Sequence, residues 1–165
     1  MTETFAIPCA AAIIEREIDG VPHILVQTRM KETGGETNGM LEIPAGKIRA
    51  YECIFDTLRR EVREETGLIL TQILGEESAV AAEINGVQTV SFTPFSTTQN
   101  LCGGYAIVVH AFRCIAEGEP LSHTDESRDI RWMSVRELRQ FVDKTPDRIF
   151  FMHVTTLRKY LAAVE

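Results

Sequence analysis

The sequence predicts an α/β fold, an α/β/α sandwich built on a mixed sheet, and three observations lead there. Strand-like runs meet at Asp19-Gly20 and again at Asn85-Gly86, dipeptides that supply the positive φ angles of two-residue hairpin turns. The middle of the chain, Cys53 to Thr66, contains neither Gly nor Pro and sets Phe55, Leu58 and Val62 in one stripe at helical spacing. A second run with apolar residues at helical spacing, RIFFMHVTTLRKYLAA from 148 to 163, closes the chain.

In order, residues 6–18 read as a strand, and VPHILVQTR from 21 to 29 as its hairpin partner, with Pro8 and Pro22 near strand starts where a missing N–H is tolerated. KETGGETNG, 31–39, lacks phosphate-loop spacing and reads as a flexible connection. MLEIPAG is a short strand leading into the central helix. LILTQILGEESAVAAEI follows as strand, turn and strand, and Asn85-Gly86 turns the chain into VQTVSF. TPFSTTQNLCGG, 93–104, is long, polar and punctuated by Pro and Gly; it reads as a loop that either borders a pocket or merely connects. YAIVVHAFRCI, 105–115, is the most apolar strand and belongs in the middle of the sheet. AEGEPLSHTDES is a loop, DIRWM a short strand, and SVRELRQFVD a helix capped by Ser134 with Glu137 three residues on. His23 and His153 read as a polar strand residue and a packing or surface residue.

A length of 165 residues suits one domain over 1–165, and 44% hydrophobic residues is ordinary for a globular core. A net charge of −7 leaves no electrostatic footprint for DNA, RNA or an anionic membrane, so neither polymeric nucleic acid nor membrane is an expected partner. Cys9, Cys53, Cys102 and Cys114 lack paired C-x-x-C spacing and read as reduced, mostly buried thiols of a cytoplasmic protein. The opening MTETFAIPCAAAII has no basic n-region, and no apolar run approaches a membrane span.

The chemistry concentrates in GKIRAYECIFDTLRREVREETGL, Gly46 to Leu68. Glu61, Glu64 and Glu65 share one flank of the helix, no Lys lies within a turn of them, and Arg60 is within reach of Glu64. A bound cation relieves such like-charge crowding, and hard divalent cations take oxygen ligands. Gly67 fits a left-handed helix cap, and Gly46 is expected to give the entering loop the freedom to bring backbone carbonyls near the same face.

Gly46, Glu52, Arg60-Glu61-Val62, Glu64-Glu65 and Gly67-Leu68 stand at the complete spacing of the Nudix signature, and the chain resembles the Nudix hydrolases. The resemblance implies the Nudix fold, an α/β/α sandwich with its loop-helix-loop, and hydrolysis of a phosphoanhydride in a nucleoside diphosphate derivative with Mg²⁺ or Mn²⁺. Carried onto this chain, it makes Glu61, Glu64 and Glu65 metal-ligand carboxylates, with one of them acting on the attacking water. It makes the Ala45 carbonyl a backbone ligand, Arg60 the residue that orients Glu61, and Glu52 a supporting carboxylate. Glu126, six residues before Trp132, matches a further carboxylate that the family brings from a loop, ahead of Asp125 or Glu119.

LEIPAGKI, with Glu42, looks like the corresponding stretch of ADP-ribose and nucleotide-sugar pyrophosphatases, and Arg29 stands where such enzymes hold a phosphate. The Pro and the Tyr that mark the ADP-ribose and dinucleoside polyphosphate groups downstream are absent, Ile84 standing near the first position. The expected partner is thus a small nucleotide derivative, with a second copy of the chain as a further option, and substrate choice is expected in Arg29 and the 93–104 stretch. The alternatives are a nucleoside triphosphate pyrophosphohydrolase, a non-catalytic module binding a nucleotide derivative, and an isomerase of allylic diphosphates on the same fold.

Overall fold

The computed structural model describes residues 3–164. Its main sheet runs β10 (Ser127–Ser134), β2 (Val21–Arg29), β1 (Ile7–Ile18), β9 (Ile107–Glu117), β5 (Ile69–Ile73). Three short strands join it: β3 (Leu41–Glu42) on β2, β4 (Ala45–Lys47) on β1, and β8 (Ser96–Gln99) on β9. β1 and β9 are parallel and the other pairs are antiparallel, so the sheet is mixed.

β1 has an apolar run, AAAII, rather than an alternation because both of its faces are covered. Cys9, Ala11 and Ile13 point to one core, where Val135, Leu138 and Val142 of α2 (Val135–Lys144) and Met152, Leu157 and Tyr160 of α3 (Phe151–Ala163) pack. Ala10, Ala12 and Ile14 point to the other, shared with Phe55, Leu58 and Val62 of α1 (Ile54–Thr66). This is the predicted α/β/α sandwich, and the predicted helix stripe is the face it buries.

Both predicted hairpins form. Ile18 pairs with Val21 across Asp19 and Gly20, at φ 51° and 75°, and Ile84 with Val87 across Asn85 and Gly86, at 53° and 78°. The second hairpin, β6 (Val80–Ile84) with β7 (Val87–Ser91), stands apart from the main sheet as its own two-stranded ribbon. Ser134 caps α2 by accepting from the Glu137 N–H at 3.2 Å.

Four expectations are corrected. The 93–104 stretch is not all loop: Ser96–Gln99 forms β8 along the edge left open by β9, and Thr98 bonds Thr155 and Thr156 of α3. The final helix begins at Phe151, because Pro146–Arg148 make a 3₁₀ turn and Phe150 N–H is committed to the Leu41 carbonyl at 2.8 Å. Cys9 and Cys114 are buried, but Cys53 is half-buried and Cys102 exposed. The 31–39 connection is a built loop: Lys31 N–H donates to Asn38 Oδ1, and Asn38 Nδ2 returns a bond to the Lys31 carbonyl, each at 2.9 Å. None of the helices among the described residues is long and apolar enough to cross a membrane.

Candidate active site

One cleft of about 650 Å³ brings together Arg29, Glu42, Ala45, Gly46, Arg60, Glu61, Glu64, Glu65 and Glu126. The sheet explains why. Arg29 ends β2, Glu42 pairs beside it on β3, β4 carries Ala45 and Gly46 along β1, and the acidic flank of α1 faces β4. The loop ahead of β10 adds Glu126, anchored where its carbonyl accepts the Met30 N–H at 2.8 Å.

Arg60 organises the first group of acids. Its Nε and Nη2 donate to Glu52 at 2.7 and 2.9 Å, its Nη1 contacts Glu61, and Glu64 lies 3.4 Å from the same Nη1. Glu52 stands just before the helix and also accepts from Thr57 Oγ1 and Arg49 N–H, at 2.8 and 3.1 Å. The Arg60 bonds, ahead of those from Thr57 and Arg49, pull the Glu52 carboxyl down to about 2. The Glu52 carboxylate in turn raises the pKa of Arg60. Glu61 is thereby fixed, while the Glu64 side chain, 55% exposed, is the freest of the three helix carboxylates.

Gly46 serves differently from the expectation. It lies in β4, and what requires a glycine is the Glu61 carboxylate: a β-carbon on residue 46 would fall 1.9 Å from Glu61 Cδ. Gly67 does cap the helix as predicted, at φ 77° with its N–H on the Arg63 carbonyl, and a β-carbon there would also strike Leu121.

Glu65 belongs to a second group. It is 3% exposed; its Oε2 accepts from Ala45 N–H at 3.1 Å and Gln27 Nε2 at 3.0 Å, and its Oε1 faces Lys31 Nζ at 3.2 Å. Burial raises its pKa to about 7, against the pull of Lys31. Lys31 Nζ also reaches Glu126 Oε2 at 2.9 Å. Burial works against the Lys31 charge, but Glu65 and then Glu126 outweigh it and raise its pKa. The three helix carboxylates thus line one cleft in two groups, each held by a cation of the protein itself. Among the described residues, no three His, Cys, Asp or Glu side chains stand grouped to hold a metal ion. The chemistry of the donor set nevertheless fits a hard divalent cation, being carboxylate oxygen throughout with the Ala45 backbone alongside.

Arg29 is buried more deeply than a free phosphate ligand. It donates to Glu42 Oε2 at 3.1 Å and Thr37 Oγ1 at 2.9 Å, and its guanidinium lies 4.3 Å over the Phe150 ring. Burial raises the pKa of Glu42, with Arg29 opposing. The lining of the cleft also includes the apolar and aromatic residues Tyr105, Ile107, Val109, Phe150 and His153. His153 is fully buried with Nδ1 accepting the Ile43 N–H at 3.2 Å, and Nε2 has no partner among the described residues. Burial lowers its pKa to about 3. Residues 93–104 do not line the cleft; Tyr105, just beyond them, does. Asp125 lines it beside Glu126, whereas Glu119 is turned toward Arg16 at 3.7 Å.

Lys31, Gln27, Tyr105 and His153 carry no signature of their own in the sequence. The placement of Lys31 two residues beyond Arg29, on the same strand exit, is the signal that could have marked it.

The chain belongs to the Nudix family: the NUDIX domain model matches residues 7–154. It is 43% identical over 54 residues to the uncharacterized Nudix hydrolase P35G2.12 of Schizosaccharomyces pombe, a match covering 33% of this chain and 25% of that protein. Among solved structures it resembles the NUDIX domain of Shewanella oneidensis NrtR complexed with ADP ribose, at TM-score 0.69 and 13% identity over 99% of this chain and 91% of that one. It also resembles a MutT protein from Methanosarcina mazei Go1, at TM-score 0.62 and 17% identity over 100% and 99% of the two chains. The Ap4A hydrolase of C. elegans follows at TM-score 0.56 and 14% identity, covering 96% and 98%. These structural likenesses speak for the fold.

Proposed function

We propose that this chain, as a single Nudix domain of the cytoplasm, hydrolyses a phosphoanhydride in a small nucleoside diphosphate derivative of the ADP-ribose or nucleotide-sugar type, using Mg²⁺ or Mn²⁺. The observation that carries the reading is the mixed lining of the cleft. It gathers the carboxylates Glu61, Glu64, Glu65 and Glu126 together with the rings of Tyr105, Phe150 and His153. Acids that can hold a phosphate-binding cation, in one cavity with aromatic rings, fit a molecule with a diphosphate and a ring system, in a cavity of ordinary ligand size. The ADP-ribose named with the Shewanella domain is such a molecule.

Glu61, Glu64, Glu65 and the Ala45 carbonyl would hold the divalent cation, which when bound neutralises diphosphate oxygens and lowers the pKa of a water. Arg60 keeps Glu61 in place, and Glu52 keeps Arg60 in place. Glu64, the least committed of the helix carboxylates, takes the proton from the water that attacks phosphorus. Arg29 orients Glu42 from within the wall and presents positive charge to the phosphates. Tyr105 and Phe150 receive the ring of the nucleotide.

A panel of nucleotide sugars, dinucleoside polyphosphates, coenzyme A and nucleoside triphosphates, assayed with Mg²⁺ and again in excess chelator, tests the reading. Turnover of diphosphate-linked compounds is expected only with the metal, and Glu64→Gln and Glu65→Gln are each expected to remove most of it without unfolding the chain. Undiminished turnover in both variants, or in chelator, would overturn it.

A further inference from the structure

Lys31 has no part in the reaction just described, yet it is among the most firmly placed cations of the cleft. Its ammonium stands 3.2 Å from Glu65 Oε1 and 2.9 Å from Glu126 Oε2, joining a buried carboxylate of α1 to an exposed one on the loop before β10. Its backbone is clamped on both sides by Asn38, and the neighbouring Met30 N–H is bonded to the Glu126 carbonyl. Lys31 and Glu126 are therefore held in register by main chain as well as by charge. Because Ala45 N–H and Gln27 occupy Glu65 Oε2, Oε1 is the oxygen left to meet a cation, and Lys31 holds it.

We propose that Lys31 is a tethered counter-ion that competes with a divalent cation for the Glu65 carboxylate, so that metal loading displaces its ammonium from Glu65 and Glu126. The inference rests on the metal-dependent reading above. An ammonium satisfies two carboxylates with three N–H donors, and a divalent cation replaces it with twice the charge and direct oxygen ligation. Without the ammonium, Glu65 would be a buried carboxylate whose Oε1 has lost its charged partner, at a cost that folding must carry whenever metal is scarce. Lys31 thus balances the Glu65 charge when no metal is bound and weakens the hold on metal, and its departure frees Glu126 from its ion pair.

The test is Mn²⁺ binding to the substrate-free protein, read from the electron paramagnetic resonance signal of free Mn²⁺, together with thermal unfolding in chelator and in saturating Mn²⁺. Removing one like charge from the site in Lys31→Gln is expected to tighten Mn²⁺ binding about tenfold or more. The same variant should melt below the wild type in chelator, with the gap closing in saturating Mn²⁺. Lys31→Met, which keeps the chain length and loses the charge, should reproduce the gain should the Gln variant fail to fold, and Lys31→Arg should bind within about threefold of the wild type. Mn²⁺ binding in the two neutral variants that is equal to or weaker than wild type would overturn the inference alone. A wild type that binds no Mn²⁺ would overturn the metal-dependent reading and the inference with it.

Discussion

The carboxylate of Glu61 lies against the α-carbon of Gly46, with both of its oxygens within 2.3 Å of where a β-carbon would stand. Arg60 contacts the same carboxylate, so Glu61 is held by a guanidinium and fits against a bare stretch of strand. Gly46→Ala must therefore move Glu61. The pairing of β4 with β1 is main chain and survives the change, so turnover is expected to fall about tenfold or more while stability falls by about 2 kcal/mol or less. Steady-state kinetics and urea unfolding on one preparation check both halves; unchanged turnover would mean that the position of Glu61 is immaterial.

His153 makes stability depend on pH. Its folded pKa, about 3, lies below the ordinary value near 6.5 that it regains on unfolding, so the unfolded chain binds the proton first as pH falls. The contribution is fully present above about pH 6.5 and declines toward pH 3, at up to about 1.4 kcal/mol per pH unit. The cause is burial of the ring, with the positive charges of Arg29 and Lys31 adding to it. Between pH 7 and 5 the wild type should lose more urea stability than His153→Gln, whose side-chain oxygen can still accept from Ile43. Parallel losses in the two proteins would remove His153 as the source.

Glu126→Gln is expected to lower kcat about tenfold with KM little changed, the mark of a group used in the transition state. Glu126 is exposed on a loop and its carboxylate pairs with a side chain that can withdraw, Lys31, which suits a carboxylate engaged late. Asp125 shares the cleft, so the same loss in Asp125→Asn with wild-type kcat in Glu126→Gln would transfer the role to the neighbour.

Tyr105→Ala should reorder the preference among nucleotide derivatives, since Tyr105 lines the cleft without belonging to its acidic set. Leu101→Ala, 85% exposed within the 93–104 stretch and off the cleft, should leave the order unchanged. The opposite pattern would return specificity to that stretch.

The layers of the fold were legible because local rules and tertiary need agree there. Asp19-Gly20 and Asn85-Gly86 dictate turns whatever surrounds them, and Phe55, Leu58 and Val62 can bury only one side of a helix. β8 was hidden because STTQ is polar and short; its pairing comes from the open edge of β9, a partner distant in sequence. In the site, the box acids and Arg60 are neighbours along one helix and their spacing announced them. Lys31 and His153 reach the cleft from a loop and from α3, where only the folded sheet makes them neighbours of Glu65 and Ile43. The sequence points to Gly46 for backbone freedom, whereas its lack of a side chain is what the packing uses.

The parallel pairing of β1 with β9 matches residues one hundred positions apart, from Ile7 with Ile107 to Glu15 with Ile115. A ribosome therefore releases the apolar run Ala10 to Ile14 long before its partner exists. The β1–β2 hairpin can zip within microseconds, but it covers only Glu15 to Ile18 of β1. β4 later covers Cys9 to Ala11, but the edge of β1 that takes β9 stays open meanwhile, at the stage when unpaired strands are most prone to join other chains. Closing so long a loop adds little to the equilibrium cost yet lowers the folding rate, so refolding is expected in the slow range of mixed topologies, with its main phase set by the meeting of these two strands.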